Sequence, residues 1–412
     1  MEMTGVKRNL EHKAQKTLDM FPVLAILGAR QVGKTTLAKS LVKGWKYVDL
    51  EDPDDYDRVT RNPKFFFQQY PHSVIIDEAQ RYPEVFSLLR GVIDANRLEK
   101  GRFIITGSSS PELLSQISET LAGRIGLLEL GTLKANEYYQ KPLSPFYDLF
   151  SEELNSKKIV SGPAPLSMEQ MQLQWVRGGY PEPLLTDDDL FYSQWMENYR
   201  DTYINQDIGR LFPRLNKIAY RRFLTVLSKL SGTIINKRDM ARALEVSEGT
   251  VKEYLSIVEG TFLWRSLPSF EKNVIKSVIK MPKGYIRDTG LLHFLLKINS
   301  LESLFEDPSV GHSFESFVIE EIAKGLESTF VTNWSLYYYR TRNGAEIDLI
   351  LDGPFGLLPI EIKYGTSVRL KQLTSLSDFI AEHNVPFGMV INQSSSVEWL
   401  TPHIVQMPVG WI

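Results

Sequence analysis

Two glycines, a lysine and a threonine stand at fixed spacing near the start of the 412-residue chain. Gly28 and Gly33 bracket four residues, and Lys34 and Thr35 follow at once. Glycines let a loop turn its amides inward, and a helix that begins at Lys34 adds unpaired amides and a positive dipole end. The spacing predicts a phosphate-binding loop that presents Lys34 to the β- and γ-phosphates and Thr35 to magnesium. The residues expected to contact the nucleotide are Gly28, Ala29, Arg30, Gln31, Val32, Gly33, Lys34, Thr35 and Thr36. The alternative is a chance match in an ordinary strand–turn–helix segment.

A pair of acids follows the β-branched run at residues 74–76. This run reads as a buried strand, and ligands bind at the carboxyl ends of strands in open α/β sheets. We expect Asp77 to hold magnesium, directly or through water, and Glu78 to polarise the attacking water. The alternative is a pair of solvated acids at a strand end, which the upstream phosphate loop disfavours.

Three further residues are candidates for the same site. Residues 102–107 read as a further strand and are followed by three serines. Thr106 or Ser108 could therefore lie between the acids and the γ-phosphate. A plain serine-rich turn is the alternative. Arg124 is a candidate arginine finger or sensor, and fingers often act across a subunit boundary, which would require a homo-oligomer. The alternative for Arg124 is a surface charge.

Composition is that of a globular protein, with 43% hydrophobic and 24% charged residues. The length predicts about two to four domains. There is no cysteine, which excludes disulfides and thiolate metal sites. No apolar run is long enough to span a bilayer and the N-terminus lacks a secretory core, so we expect a cytoplasmic protein without membrane contact.

Charge is unevenly distributed along the chain. The net charge is −3, yet residues 216–290 carry 14 Lys and Arg against 7 Asp and Glu. This basic middle indicates an anionic partner, with nucleic acid as a candidate. A solvated charged face is the alternative.

The elements that must position these residues define four regions. Residues 1–140 read as an α/β domain, with strands expected at 23–27, 46–50, 74–77, 103–106 and 126–130. The strand at 103–106 is expected between the two strands that carry the site, as an additional central strand. Residues 141–215 read as a helical connector, 216–290 as a winged-helix-like segment and 300–412 as a last α/β unit.

The winged-helix-like segment contains two predicted helices, at residues 238–244 and 250–258. The second helix puts Val251, Tyr254, Leu255 and Val258 on one face and could enter a major groove. Its outward side carries Glu248 and Glu253, which would face phosphates unfavourably. A structural or subunit-contact role is therefore favoured over the reading of a nucleic-acid sequence.

A second group of acids lies in the last unit. Residues 337–351 read as a hairpin with a turn at residues 343–344, and alternation puts Glu346 and Asp348 on one face. Glu361 and Lys363 share a face of the next strand, and Glu315 on an upstream helix could add a third acid. Such a group can hold a divalent cation, with Lys363 orienting water for phosphodiester attack. The pattern alone favours the alternative, solvated charges at a sheet edge.

Taken together, the chain resembles a prokaryotic family of AAA-type ATPases that carries a C-terminal DUF4143 domain. The resemblance extends over nearly the whole chain and rests on the segments at residues 28–37, 47–51, 76–80, 105–108, 121–124, 178–181, 288–291, 314–315, 346–348 and 361–363. It implies an α/β P-loop core with an additional central strand, a winged-helix segment and a C-terminal domain similar to the PD-(D/E)xK nuclease (restriction-endonuclease-like) fold. By that resemblance Asp348, Glu361 and Lys363 match the nuclease core motif, and Glu315 lies on the first helix.

The expected function is ATP hydrolysis with Mg²⁺, coupled to rearrangement of the C-terminal modules. One alternative is an ATP-regulated, metal-dependent nuclease or nucleic-acid-binding protein. Another is a switch or scaffold that binds ATP and hardly hydrolyses it. The sequence leaves the physiological substrate open.

Overall fold

The computed structural model describes residues 5–108, 117, 119–209, 212, 215–271, 280–341 and 344–412, with the backbone alone for 205–207. The chain divides into two compact units. Unit 1 comprises Met1–Leu133 and Ser256–Phe262, and unit 2 comprises Lys134–Leu255 and Leu263–Ile412.

Unit 1 is built on a five-stranded parallel sheet of order β2-β3-β4-β1-β5. The strands are β1 (Val23–Leu27), β2 (Lys46–Asp49), β3 (Val74–Asp77), β4 (Phe103–Gly107) and β5 (Ile125–Glu129). The helices are α1 (Glu11–Met20), α2 (Lys34–Leu41), α3 (Pro53–Thr60), α4 (Pro63–Gln69) and α5 (Val85–Ala95), with a 3-10 turn at Ala79–Arg81.

Central strands of this sheet are apolar throughout, as expected for a parallel sheet covered on both faces. Every residue of β1, β3 and β4 is buried. β1 and β3 have the bounds that the sequence predicts, β2 and β4 differ from prediction by one residue at one end, and β5 is shifted by one residue at both ends. β4 pairs with both β1 and β3, which is the central position predicted for residues 103–106. The mixed α/β fold with a parallel sheet is therefore confirmed.

Unit 2 begins with a helical region. It contains α6 (Ala135–Tyr138), α7 (Met168–Arg177), α8 (Pro181–Leu185) and α9 (Asp189–Thr202), a π-helical turn at Tyr203–Ile208, and 3-10 turns at Pro145–Phe150 and Ser156–Lys158. Asp288 locks the end of α7 to a later helix, because its carboxylate accepts hydrogen bonds from Gly179 N at 2.8 Å and Leu291 N at 2.9 Å. A Cβ on Gly290 would lie 2.1 Å from Arg177 O, so this joint requires glycine.

The middle of unit 2 contains two helices, the first eight residues of a third helix, and a small antiparallel sheet of order β6-β8-β7; the rest of that third helix belongs to unit 1. Its elements are α10 (Lys217–Lys229), β6 (Thr233–Ile234), α11 (Lys237–Leu244), α12 (Glu248–Gly260), β7 (Trp264–Leu267) and β8 (Lys283–Ile286). Tyr254 of α12 is buried and its ring packs edge-on against Tyr220 and Phe223 of α10. Glu248 and Glu253 of α12 are exposed, as its helical pattern predicts.

The C-terminal part of unit 2 forms a six-stranded mixed sheet of order β13-β14-β12-β11-β10-β9. Its strands are β9 (Ser335–Arg340), β10 (Glu346–Gly353), β11 (Gly356–Ile362), β12 (Gly388–Asn392), β13 (Glu398–Thr401) and β14 (Ile404–Pro408). Its helices are α13 (Thr289–Leu296), α14 (Leu301–Glu306), α15 (Val310–Glu327) and α16 (Thr374–His383), with 3-10 turns at Leu370–Leu373 and Val409–Trp411.

The predicted hairpin is present as antiparallel β9 and β10. Thr341 N donates to Ala345 O at 2.9 Å at the base of its turn, and Gly344 has φ +85°, which favours glycine. Asn343, the other residue of the predicted turn, lies outside the described residues. β11 pairs antiparallel with β10 and parallel with β12, so β10 and β11 are neighbours as the candidate acid group requires.

The longest helix in the described ranges is α15, with 18 residues, and it carries charged side chains along its length. No helix of the described chain combines the length and apolar character needed to cross a membrane.

Candidate functional site

The glycine-bracketed loop joins β1 to α2 at the carboxyl end of the parallel sheet. Gly33 precedes α2 with φ +94°, in the left-handed region that favours glycine. A Cβ on Gly28 would lie 2.2 Å from Leu130 O, so the loop start approaches the backbone after β5 too closely for any side chain. The backbone geometry therefore requires glycine at both positions of the motif. Within the loop and the first turn of α2, Gln31 and Thr36 are exposed.

Lys34 lies at the first turn of α2 and is buried. Its Nζ donates to Gly28 O at 3.2 Å and to Ala29 O at 2.8 Å, so the ammonium is directed into the loop. Burial lowers the pKa of Lys34, while the carboxylates of Glu78 and Asp77 oppose this shift. A buried cation beside free helix amides is a favourable position for a phosphate group.

Asp77, at the end of β3, accepts hydrogen bonds from three hydroxyl groups on three different elements. Thr35 of α2 donates at 2.6 Å and Tyr47 of β2 at 2.7 Å to one carboxylate oxygen, and Thr106 of β4 donates to the other. The Thr35–Asp77 pair is the hydroxyl and carboxylate pair that holds magnesium in P-loop proteins. The oxygen donors present therefore fit a magnesium ion.

Glu78 has a left-handed backbone, with φ +53° and ψ +48°, which is costly for a residue that is not glycine. Its carboxylate accepts hydrogen bonds from Gln80 Nε2 and, at 3.4 Å, from Ser108 Oγ. Gln80 Nε2 also donates to Ser108 Oγ at 3.0 Å. The strand end thus turns Glu78 towards the tip of β4, and Ser108 and Gln80 determine its orientation.

Arg124 lies just before β5 and is held inside its own unit. Its Nε donates to Asp94 Oδ1 at 2.7 Å and its Nη2 to Asp94 Oδ2 at 3.0 Å, so a two-point contact ties it to α5. The guanidinium lowers the pKa of Asp94 through these hydrogen bonds. No contact among the described residues joins Arg124 to Lys34, Asp77 or Glu78.

Three residues near the loop were not predicted as parts of the site. Arg8 is buried and donates to Val32 O and Gly131 O, both at 2.8 Å, so it braces the phosphate loop from behind. Tyr47 and Gln80 bind the two acids directly. Gln80 has a sequence signal, because it follows the acid pair by two positions. Tyr47 reaches Asp77 because β2 pairs with β3, and Arg8 reaches the loop from the segment before α1; neither contact has a signal in the neighbouring sequence.

The second candidate site lies in unit 2, where β10, β11 and α15 bring together the acids that the sequence predicts. Asp348 Oδ2 accepts from Ile362 N at 2.8 Å, which joins β10 to the end of β11. Lys363 Nζ lies 2.5 Å from Glu361 Oε1. Glu315 of α15 is buried.

Lys283 of β8 also belongs to this group, and no sequence pattern predicted it. Its Nζ lies 2.5 Å from Glu315 Oε1, 3.2 Å from Glu346 Oε1 and 3.8 Å from Asp348 Oδ1. Burial raises the pKa of Asp348, and the carboxylates of Glu315 and Glu361 raise it further. Burial also opposes ionisation of Glu315, yet Lys283 keeps the pKa of that carboxyl below its usual value.

In the described ranges, no three His, Cys, Asp or Glu side chains are grouped so as to hold a metal ion. Glu315, Asp348 and Glu361 are instead contacted by the ammonium groups of Lys283 and Lys363.

Comparison with known proteins matches three domain families along the chain. An AAA domain family matches residues 20–139, a domain of unknown function, DUF8612, matches residues 168–302, and DUF4143, also a domain of unknown function, matches residues 310–412. The AAA match covers the parallel sheet together with Asp77 and Glu78, so unit 1 carries an AAA-type P-loop domain.

Uncharacterized protein Rv2008c of Mycobacterium tuberculosis is 31% identical over 348 residues, covering 84% of this chain and 71% of that protein. Uncharacterized protein MJ1544 of Methanocaldococcus jannaschii is 24% identical and covers 80% and 72% of the two chains. The chain belongs to the same family as the mycobacterial protein, with an AAA domain followed by a DUF4143 domain.

Among solved structures, the Walker-type ATPase PABY2304 of Pyrococcus abyssi is similar with 16% identity and a TM-score of 0.43. The match covers 69% of this chain and 94% of that chain.

Proposed function

We propose that the chain binds ATP with magnesium at residues 28–36 and hydrolyses its terminal phosphate. The observation that carries the proposal is the 2.6 Å hydrogen bond between Thr35 and Asp77, next to the buried ammonium of Lys34. The AAA domain match over these residues supports ATP as the nucleotide. Charge, loop and metal-ligand groups of a phosphate site thus occur together at one end of the sheet.

Each residue has a distinct role in this proposal. The loop amides and Lys34 bind the β- and γ-phosphates, and Thr35 and Asp77 hold the magnesium ion. When bound, the ion supplies positive charge that stabilises the developing charge on the phosphates. Glu78 accepts a proton from the attacking water, and Ser108 and Gln80 orient its carboxylate.

The experiment is steady-state phosphate release by the purified chain with ATP and Mg²⁺. We expect Lys34→Ala to abolish ATP binding, and Glu78→Gln to bind ATP while its turnover falls by at least 100-fold, since a general base contributes about 10²–10⁴-fold. Glu84→Gln, which neutralises an exposed acid six residues further on, is the matched control and should keep the parent rate. Parent-like turnover of the Glu78→Gln protein would remove Glu78 from the mechanism.

For residues 217–286 we propose a winged-helix-like module. The order of helix, strand, two helices and two strands, with the sheet order β6-β8-β7, supports it. The exposed face of α12 carries acids, and Glu248 forms an ion pair with Arg238 at 3.0 Å. A structural or subunit-contact role is therefore proposed in preference to nucleic-acid reading.

For residues 310–412 we propose a nuclease-like fold that responds to ATP turnover. The placement of Asp348 on β10, with Glu361 and Lys363 on and after β11, supports the fold. Hydrogen exchange of this region should differ between the ATP-bound Glu78→Gln protein and the nucleotide-free protein. Equal exchange in both states would argue against coupling.

The alternative of an ATP-regulated nuclease uses the same three residues and predicts nicking of DNA or RNA with Mg²⁺ or Mn²⁺. Loss of cleavage in Asp348→Ala and Lys363→Ala would support it. The other alternative, a switch with little turnover, predicts tight ATP binding and negligible phosphate release by the parent chain.

A further inference from the structure

Lys283 places a buried ammonium group among the carboxylates of unit 2. The side chain is 4% exposed and reaches from β8 to acids on two other elements. It contacts Glu315 of α15 and Glu346 of β10, and it lies 3.8 Å from Asp348. Tyr285, two residues along β8, also donates to Glu315 through its hydroxyl. One short strand therefore supplies both a cation and a hydrogen-bond donor to the group.

The cluster formed by Glu315, Glu346, Asp348 and Glu361 with Lys283 and Lys363 carries more carboxylates than ammonium groups. Glu361 is 6% exposed, and its Oε2 has no hydrogen-bond partner in the described part of the chain. A buried carboxylate oxygen without a partner is a costly feature. The cluster therefore has the charge and the free oxygen to attract a further cation.

The position that would bring a divalent ion to Glu315 and Asp348 together is taken by the Lys283 ammonium. Among the described residues, no three or more acids or histidines are grouped so as to hold a metal ion. A divalent ion needs several oxygens at about 2.0–2.6 Å. Here Glu315 Oε1 lies 2.5 Å from the Lys283 Nζ instead.

We propose that the Lys283 ammonium group occupies the place of a divalent metal ion in this cluster and thereby prevents such an ion from binding. Removing this ammonium group opens a divalent-cation site made of Glu315, Asp348 and Glu361. The lysine belongs to β8, a strand outside the six-stranded sheet. The proposal does not depend on ATP hydrolysis and is tested without nucleotide.

The test counts Mn²⁺ ions bound to the full chain, using the electron paramagnetic resonance signal of free Mn²⁺. We expect Lys283→Met to bind one Mn²⁺ per chain more than the parent, and the double variant Lys283→Met/Asp348→Asn to lose that ion. Lys283→Arg, which keeps the positive charge, should bind as the parent does. Lys280→Met is the matched control, since it removes a lysine ammonium of the same segment that lies outside the cluster, and it should also match the parent.

Two results would overturn the proposal. The first is an unchanged Mn²⁺ count in folded Lys283→Met, with folding checked by circular dichroism. The second uses Asp348→Asn alone: a lower Mn²⁺ count than in the parent would mean that the metal already binds beside Lys283. An equal count in Asp348→Asn and parent supports closure even if Lys283→Met does not fold. Because the readout is a metal count without nucleotide, failure here leaves the ATPase proposal untouched.

Discussion

Asp77 shows how a single acid can organise a site that lies between several strands. Its carboxylate takes hydroxyl hydrogen bonds from Thr35, Tyr47 and Thr106, each from a different element. Desolvation and the bond to Asp77 raise the pKa of the Tyr47 hydroxyl above its ordinary value, so this group remains a donor. The bonds hold the acid in one orientation before any metal ion binds.

Removing the Tyr47 hydroxyl should therefore destabilise unit 1. A hydrogen bond to a charged group contributes roughly 1.5–3 kcal/mol, and partial exposure of Tyr47 places the expected loss in Tyr47→Phe at about 1–2 kcal/mol. The measurement is the free energy of unfolding from urea titration.

Tyr56→Phe provides the control for this substitution. Its hydroxyl has no hydrogen bond among the described residues, while its ring packs edge-on against Tyr82. We expect a change close to zero. Equal losses in Tyr47→Phe and Tyr56→Phe would contradict a special role for the bond to Asp77.

Residue identities predicted from the sequence were those whose chemistry is tied to a local motif. The loop of residues 28–36 and the pair Asp77 and Glu78 are visible because their spacing along the chain is fixed by the phosphate geometry. Lys283 was not visible, since it meets Glu315 across 32 residues and Glu346 across 63 residues. Such a contact depends on how strands and helices pack, which local spacing does not encode.

At the level of elements, the joint between α7 and α13 has a clear steric requirement. Gly290 follows the cap residue Asp288, and its missing side chain lets the helix start approach Arg177 O. The motifs at residues 178–181 and 288–291, separated by more than a hundred residues, are thus two halves of one contact.

Gly290→Ala should lower the stability of unit 2 by roughly 3 kcal/mol, because the new methyl group would overlap a backbone oxygen. Gly91→Ala is the matched control within helix α5, where a Cβ meets nothing within 4 Å. It should raise stability by about 0.5–1 kcal/mol, since alanine favours the helix. Thermal unfolding of both variants should show stability changes of opposite sign. Unchanged stability of Gly290→Ala would contradict the claim that this joint requires glycine.

His293 of α13 links three helices and makes their packing sensitive to acid. Its ring nitrogens contact Val176 O at 2.9 Å and Ser313 Oγ at 2.6 Å. Burial lowers the pKa of His293 to about 4, from 6.5. As the pH falls from about 6.5 to about 4, the imidazole of His293 binds a proton in the unfolded chain but not in the folded chain. The folded state therefore loses stability over this pH window.

This loss should approach roughly 3 kcal/mol at pH 4, from the size of the pKa shift. Asp348 acts in the opposite sense, because its raised pKa favours proton uptake by the folded chain. The test is therefore a difference: urea unfolding of parent and His293→Gln at several pH values, with His403→Gln on the surface as control. If the free energy of unfolding changed with pH in the same way for the parent and His293→Gln, His293 would not be the source of the acid sensitivity.

Elements were predictable where one periodicity dominated. The buried run of β3 specifies a strand and its bounds, and the alternation of β10 specifies a strand. In the parallel sheet, the sequence predicted the place of β4 between β1 and β3, and it made no prediction for the places of β2 and β5. The contacts of β8 with the carboxylate cluster had no such signal, since this strand is short and distant in sequence from its partners.

For the molecule as a whole, the role of Arg124 separates a monomeric from an oligomeric enzyme. The two-point contact with Asp94 keeps this guanidinium on α5 of its own chain. If Arg124 acts as a finger in a neighbouring site, Arg124→Ala and Glu78→Gln should each be inactive alone. Mixing the two proteins should then restore part of the turnover, because one shared site combines an intact Glu78 with an intact Arg124.

Phosphate release by the two variants, separately and mixed, measures this complementation. Asp94→Asn serves as a control that loosens the contact without removing the guanidinium. Full turnover by Arg124→Ala alone would exclude the finger role, and two inactive variants without complementation would place Arg124 in its own chain's site.

ATP binding at the loop of residues 28–36 is tested most directly by the melting temperature of the chain with saturating ATP and Mg²⁺, compared between the parent and Lys34→Ala. A ligand at 100 times its Kd stabilises the folded state by about 2.7 kcal/mol, so the parent should melt several degrees higher. Lys34→Ala should show no shift. An unshifted parent, or an equal shift in both proteins, would contradict the claim that the loop at residues 28–36 holds the triphosphate.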